Sequence, residues 1–174
     1  MNQADRDAFA AFVAGRSTSL LRSAYLLVGA RDRAEDLVQS ALVKTYLAWP
    51  RLRDPGAAEA YTRRVLVTTA ISWWRRRPYL ERPGDVPDRP SPADSDALDA
   101  TLDRDLLWPH LRALPARQRA VLVCRFYEHM SLAETAETLG VSVGTVKGYL
   151  ARALQTLRLR LGVDTTNHPT GAAR

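Results

Sequence analysis

The sequence has a single cysteine, Cys124, set behind the apolar run Val121-Leu122-Val123, and this excludes an internal disulfide framework. Three scattered histidines and one thiol offer no metal-ligand spacing, so a structural zinc site is not expected. No apolar run approaches the roughly 20 residues that span a bilayer, so no membrane insertion is expected. The opening residues MNQADRDAFAAF carry no basic region followed by an apolar stretch, which argues against a signal peptide. Phosphate-binding glycine loops, paired catalytic carboxylates and nucleophile–base signatures are missing as well. The chain therefore reads as a non-enzyme with no catalytic residue, no metal and no cofactor, soluble and cytoplasmic.

What is present is basic charge, unevenly placed. The 174 residues include 25 Lys and Arg against 19 Asp and Glu, a formal charge of +6. That length suits one ordinary domain or two small ones, and a 46% hydrophobic content is enough for a packed core. Residues 1–81 carry 13 basic and 8 acidic side chains, residues 82–105 carry 3 and 7, and residues 106–174 carry 9 and 4. Pro78, Pro83, Pro87, Pro90 and Pro92 crowd the start of the acidic stretch. Proline removes backbone donors and biases its predecessor away from helix, so this segment reads as an extended linker. Two positive bodies on an acidic strap suit a polyanion gripped at two places, most simply nucleic acid. An arginine-rich composition without a polyanionic partner would give the same charge.

Outside the linker the apolar spacing is helical. Phe9, Phe12, Val13, Leu20, Leu21, Tyr25 and Leu27 recur at intervals of three and four, and Leu37, Val38, Ala41, Leu42, Tyr46 and Leu47 continue the pattern after an acidic helix start at 32–36. That second helix is expected to stop near Trp49-Pro50, with a loop over 51–56 and a further helix over 58–77. Helices over 98–113, 115–128, 131–139 and 143–161 are expected beyond the linker. The fold class is all-α: a helical domain over 1–81, a flexible acidic linker over 82–100, a C-terminal helix-turn-helix domain over 101–162, and a frayed tail over 163–174.

Residues 131–152 carry the helix-turn-helix spacing. Ala136 is small where two helices cross, and Gly140 stands where the turn calls for positive φ. Val146 faces the same core as Leu132, Leu139, Val141 and Leu150, and Ser142 is placed to cap the second helix. Ser142, Val143, Gly144, Thr145, Lys147, Gly148, Tyr149 and Arg152 are the candidate DNA-facing set. The helix before the linker places Tyr61, Trp73 and Trp74 among Arg63, Arg64, Arg75, Arg76 and Arg77. Adjacent helical residues lie about 100° apart, so at least one tryptophan must sit toward the boundary. Aromatic faces beside arginines suit unpaired bases; packing both rings into the core is the alternative.

Taken together these pieces resemble the extracytoplasmic-function group of the sigma-70 family of bacterial RNA polymerase sigma factors, in particular its actinobacterial sigma-E-like members. Four segments carry the likeness in order: Ala34-Glu35-Asp36-Leu37-Val38-Gln39 through Trp49, the helix from Tyr61 to Arg77, Leu114-Pro115-Ala116-Arg117-Gln118-Arg119, and Val141 to Lys147. The resemblance implies a chain that binds core RNA polymerase and promoter DNA, and commonly an anti-sigma factor. It implies polymerase contacts at Glu35, Asp36, Val38, Gln39 and Leu42. It implies capture of the −10 element by the loop over 51–59 and the following helix, with Arg51, Arg53, Tyr61, Arg64, Thr68, Trp73, Arg75 and Arg76, and −35 reading by the helix after Ser142. Thr68, Ser72, Gly148 and Tyr149 depart from residues common in the family, so the promoter sequence does not carry over. A stand-alone helix-turn-helix regulator is the alternative function.

Overall fold

Every regular element in the computed structural model is helical among the residues it describes, which are 2–52, 54–76 and 109–162. Helix α1 runs Gln3–Val28 as one continuous element. Its start is a reciprocal cap: Asn2 Oδ1 accepts from the Asp5 amide at 2.8 Å, and Asp5 accepts from the Asn2 amide at 3.1 Å. It stops at Gly29, which takes the left-handed φ of 77° that a β-carbon disfavours. Helix α2 spans Arg31–Ala48 and runs into a 3₁₀ turn at Trp49–Arg51. Helix α3 spans Pro55–Arg76.

Helix α3 thus starts three residues earlier than the turn-like composition of 51–56 suggests. Asp54 Oδ1 accepts from the Ala57 amide at 2.8 Å, and proline at a first helical position loses no hydrogen bond. The segment expected to be a loop over 51–59 is consequently short, and its second half is already helical.

The three helices form a bundle around Leu20, Leu27, Leu37, Leu66 and Val67, each at most 4% exposed. Between α2 and α3, Thr45 and Thr62 are fully buried with their hydroxyls 3.0 Å apart, and each also bonds the carbonyl four residues back. Both buried hydroxyls are therefore satisfied. At the far end of α1, Phe9 meets Tyr46 and Trp49 edge-on, each at 5.1 Å between ring centres.

The C-terminal body enters at the buried Leu111 and Leu114. Helix α4 covers Ala116–Leu122, and Val123–Tyr127 then widen into a π turn. The Glu128 amide bonds the Val123 carbonyl at 2.9 Å, and His129 takes a positive φ of 54°. The expected single helix over 115–128 is therefore α-helix followed by π-helix. A π turn inserts a residue and changes where the next side chains point; here it brings Glu128 inward. Helices α5, Leu132–Leu139, and α6, Val143–Leu161, complete the body. The acidic linker, the helix start expected at 98, Arg53 and the tail lie outside the described residues.

The two bodies are not held apart. Helix α3 packs against α4 and α5, α1 against α4, and the buried residues of both bodies form one cluster.

Candidate nucleic-acid interface

The helix-turn-helix geometry follows from three local devices. Ser131 and Glu134 cap α5 reciprocally, at 3.1 Å from the Glu134 amide to Ser131 Oγ and 2.7 Å from the Ser131 amide to the carboxylate. Those hydrogen bonds hold the Glu134 carboxyl below its ordinary range. Gly140 then reverses the chain at φ 63°, with its amide bonded to the end of α5. Ser142 Oγ accepts from the Thr145 amide at 3.1 Å and starts α6. Val146 is fully buried, Ala136 and Leu139 are each 5% exposed, and Leu132, Val141 and Leu150 pack partly against them.

That packing leaves one end of α6 in water. Ser142, Val143, Gly144 and Lys147 are exposed around a helix N-terminus whose free amides and dipole favour phosphate, and Arg152 is exposed further along the same helix. Thr145, Gly148 and Tyr149 are half-buried, and Tyr149 packs against the core cluster. These three are partly covered because α6 crosses α4 and α5 closely.

On α3, Tyr61, Arg64, Thr68 and Arg75 follow intervals of three, four and seven and so share a face. Arg64, Thr68, Arg75 and Arg76 are exposed, while Tyr61 and Trp73 are half-buried. The Thr68 hydroxyl bonds the Arg64 carbonyl at 2.9 Å. The paired tryptophans divide as helix geometry requires: Trp74 is 8% exposed and Trp73 lies at the boundary. Arg51 is exposed on the 3₁₀ turn.

Helix α2 presents a different surface. Glu35, Asp36 and Gln39 are exposed, with Glu35 paired to Arg31 at 3.0 Å, and Leu42 is half-buried. Val43 and Leu47 extend this side as large apolar groups 59% and 73% exposed. Val38 does not belong to it. At 8% exposure it lies in the core, because α2 is covered by α1 on one side and α3 on the other and needs a wide inward face.

Sequence patterns did not reveal the residues that bind the two bodies together. Arg119 is 8% exposed; its Nε–H donates to the Leu27 carbonyl at 3.0 Å and its guanidinium lies 5.9 Å from the Trp74 ring centre. Glu128 is 6% exposed between Ser23 and Arg63. Arg22 bonds Tyr127 across the same seam.

Residues 13–78 match the family pattern "Sigma-70 region 2", and residues 110–159 match "Sigma-70, region 4". The chain is 46% identical over 154 residues to an RNA polymerase sigma-E factor of Streptomyces coelicolor, across 88% of this chain and 85% of that one. It is 34% identical over 148 residues to the ECF RNA polymerase sigma factor SigL of Mycobacterium tuberculosis, across 82% of each. Among solved structures, the sigma factor RpoE of Bartonella quintana, in complex with the anti-sigma factor NepR, overlays with a TM-score of 0.67 at 24% identity. That match spans 94% of this chain and 99% of the other.

Proposed function

The chain belongs to the sigma-70 family of RNA polymerase sigma factors, in its extracytoplasmic-function group, and from that premise we propose how its surfaces divide the work of promoter recognition. Its function is to direct RNA polymerase to promoters, and it is not a stand-alone regulator. The observation that carries the division of labour is the presence of both DNA-facing elements in one chain: a capped α6 with Lys147 and Arg152 exposed, and an α3 with Tyr61, Arg64, Thr68 and Arg75 on one face.

Helix α6 enters duplex DNA at the −35 element. Its N-terminal amides and Ser142 orient it on phosphates, and Lys147 and Arg152 reach the groove. The α3 face, with Arg51, Trp73 and Arg76, receives the opened −10 strand, where aromatic rings accept an unstacked base and guanidiniums follow the phosphates. Arg53, outside the described residues, is assigned to the same strand. Glu35, Asp36 and Gln39, with Leu42 and the exposed Val43 and Leu47, meet core polymerase. The chain contributes binding and no bond chemistry of its own, and it acts in the cytoplasm where the polymerase is. An anti-sigma partner is part of this reading, since the Bartonella relative was solved with one.

Reconstitution tests it. Purified chain is mixed with bacterial core RNA polymerase, and the complex is followed by size exclusion and by run-off transcription on genomic fragments. The expected result is co-elution with discrete new transcripts. DNA binding without polymerase binding would refute it.

A further inference from the structure

A cavity of about 330 Å³ opens where α1, the first half of α3 and the end of the π turn meet. Small-molecule pockets run from roughly 300 to 1,000 Å³, so this one stands at the lower end. Ser23 and Glu128, 1% and 6% exposed, are its most buried lining, with Arg16 added from α1 and Glu59 and Arg63 from α3. By helical spacing Glu59 and Arg63 lie on the opposite side of α3 from Tyr61, Arg64, Thr68 and Arg75. The cavity is therefore separate from the DNA-facing surface.

Its charges balance, but its hydrogen bonds do not. Arg16 Nη2 lies 2.7 Å from Glu59 Oε2, and Arg63 holds Glu59 Oε1. Glu128 Oε1 accepts from Ser23 Oγ, and its Oε2 lies 2.9 Å from Arg63 Nε. Each of the four carboxylate oxygens is thus engaged. A guanidinium has five N–H donors. Arg16 uses one nitrogen in its ion pair, and 48% of its side chain is open to solvent. What the cavity has left to give is donors, so a ligand that fits it brings acceptors. Beside a guanidinium the strongest acceptors are those of an oxyanion.

The rim is aromatic. Phe12 borders the cavity from α1 and Phe126 from the π turn, where Phe126 is 60% exposed although Cys124 and Glu128 on either side of it are buried. Rings placed this way accept a planar body by stacking. His129, also on the rim, holds a left-handed φ of 54°. π turns and left-handed residues other than glycine cost backbone energy and recur at ligand sites.

We propose that this cavity binds a small oxyanion carried on a flat apolar body, the chemistry shared by a mononucleotide and an aromatic carboxylate. Arg16 takes the anion, and Phe12 and Phe126 take the body. The site needs the packing of the two bodies and no assignment of α3 to DNA. Since α1 and α3 supply part of its wall and the π turn the rest, a bound ligand stabilises the packed chain by mass action.

The full chain is titrated calorimetrically with adenosine 5′-monophosphate, naphthalene-2-carboxylate and inorganic phosphate, and thermal unfolding is followed with each. At least one organic probe is expected to bind a single site with a Kd of about 0.1 mM and to raise the Tm. Inorganic phosphate is expected to bind at least about tenfold more weakly. The tighter organic probe tells the nucleotide source from the carboxylate source. Arg16→Gln and Phe126→Ala, both at exposed positions outside the core, are each expected to weaken that probe about tenfold. Arg6→Gln removes the same charge from an exposed site on α1 that does not line the cavity, and is expected to leave the affinity nearly unchanged. Three results would overturn the proposal: no binding of either organic probe at millimolar concentration, inorganic phosphate bound as tightly as both, or an affinity that survives Arg16→Gln and Phe126→Ala. An equal loss in Arg6→Gln and Arg16→Gln would likewise reduce the binding to general attraction of an anion to a basic chain.

Discussion

Burial takes the Glu128 carboxyl out of water, and its pKa rises above the ordinary 4.5 because that desolvation outweighs the Ser23 hydrogen bond and the Arg63 charge. Glu59 adds to the rise, and His129 opposes it. A carboxyl with a raised value binds its proton more tightly in the folded chain than in the unfolded one. The stability it contributes is fullest below pH 4.5 and falls as the pH climbs through the raised value. Glu128→Gln removes this dependence. Urea unfolding of both chains at successive pH values from 4 upward is expected to find the variant gaining on the wild type as the pH rises. A difference that stays flat would mean that the carboxyl is solvated. Ser142 and Gly140 were legible in the sequence, because a cap and a turn glycine act on neighbours within a few residues. Glu128 was not. Its environment comes from Ser23 and Arg63, 105 and 65 residues away, and from a π turn that has no residue signature.

At the scale of the element, α6 offers a way to separate stability from recognition. Gly148 stands inside that helix at a point where an added β-carbon would meet nothing within 4 Å. Gly148→Ala is therefore expected to stabilise the chain by about 0.5–1 kcal/mol in thermal or urea unfolding. If the DNA backbone passes close to this position, the same variant loses affinity for −35 duplex while gaining stability; unchanged affinity would place the backbone elsewhere. Ser142→Ala removes the helix cap and is expected to cost about 1 kcal/mol of stability. Lys147→Ala and Arg152→Ala are expected to weaken −35 binding by about 1–3 kcal/mol where a base edge is contacted. A loss uniform across DNA sequences, with a shallower salt dependence, would assign the side chain to phosphate. The helix-turn-helix was readable because every residue that shapes it lies between 131 and 152. The start of α3 was misread for a related reason: Pro55 and Gly56 look like a turn by composition, yet Asp54 caps the helix immediately before them.

For the whole molecule, the charge pattern along the sequence pointed to two basic bodies and an acidic strap, but said nothing of how the bodies meet. A buried arginine that answers a helix-end carbonyl 92 residues away leaves no periodic trace. The outer face of α2 is a different case, since its exposed residues follow helical spacing and only Val38 was placed on the wrong side. Glu35, Asp36 and Gln39 remain outward, continued by Val43 and Leu47, so this surface combines acid with uncovered apolar area. Such a combination suits a basic partner surface with an apolar centre, and a partner there leaves α3 and α6 free for DNA. Asp36→Arg probes it cleanly, because Asp36 is exposed and is not among the core residues. The substitution is expected to change folding stability by no more than about 0.5 kcal/mol. Core polymerase affinity, measured by fluorescence anisotropy of the labelled chain, is expected to fall at least about tenfold, as charge reversal at a complementary interface does. Binding of isolated −35 duplex to the free variant should be unaffected, since α6 is remote in sequence and function from the change. Unaltered polymerase affinity would move the docking surface off α2, while a parallel loss of duplex binding would indicate that the substitution had disturbed the fold.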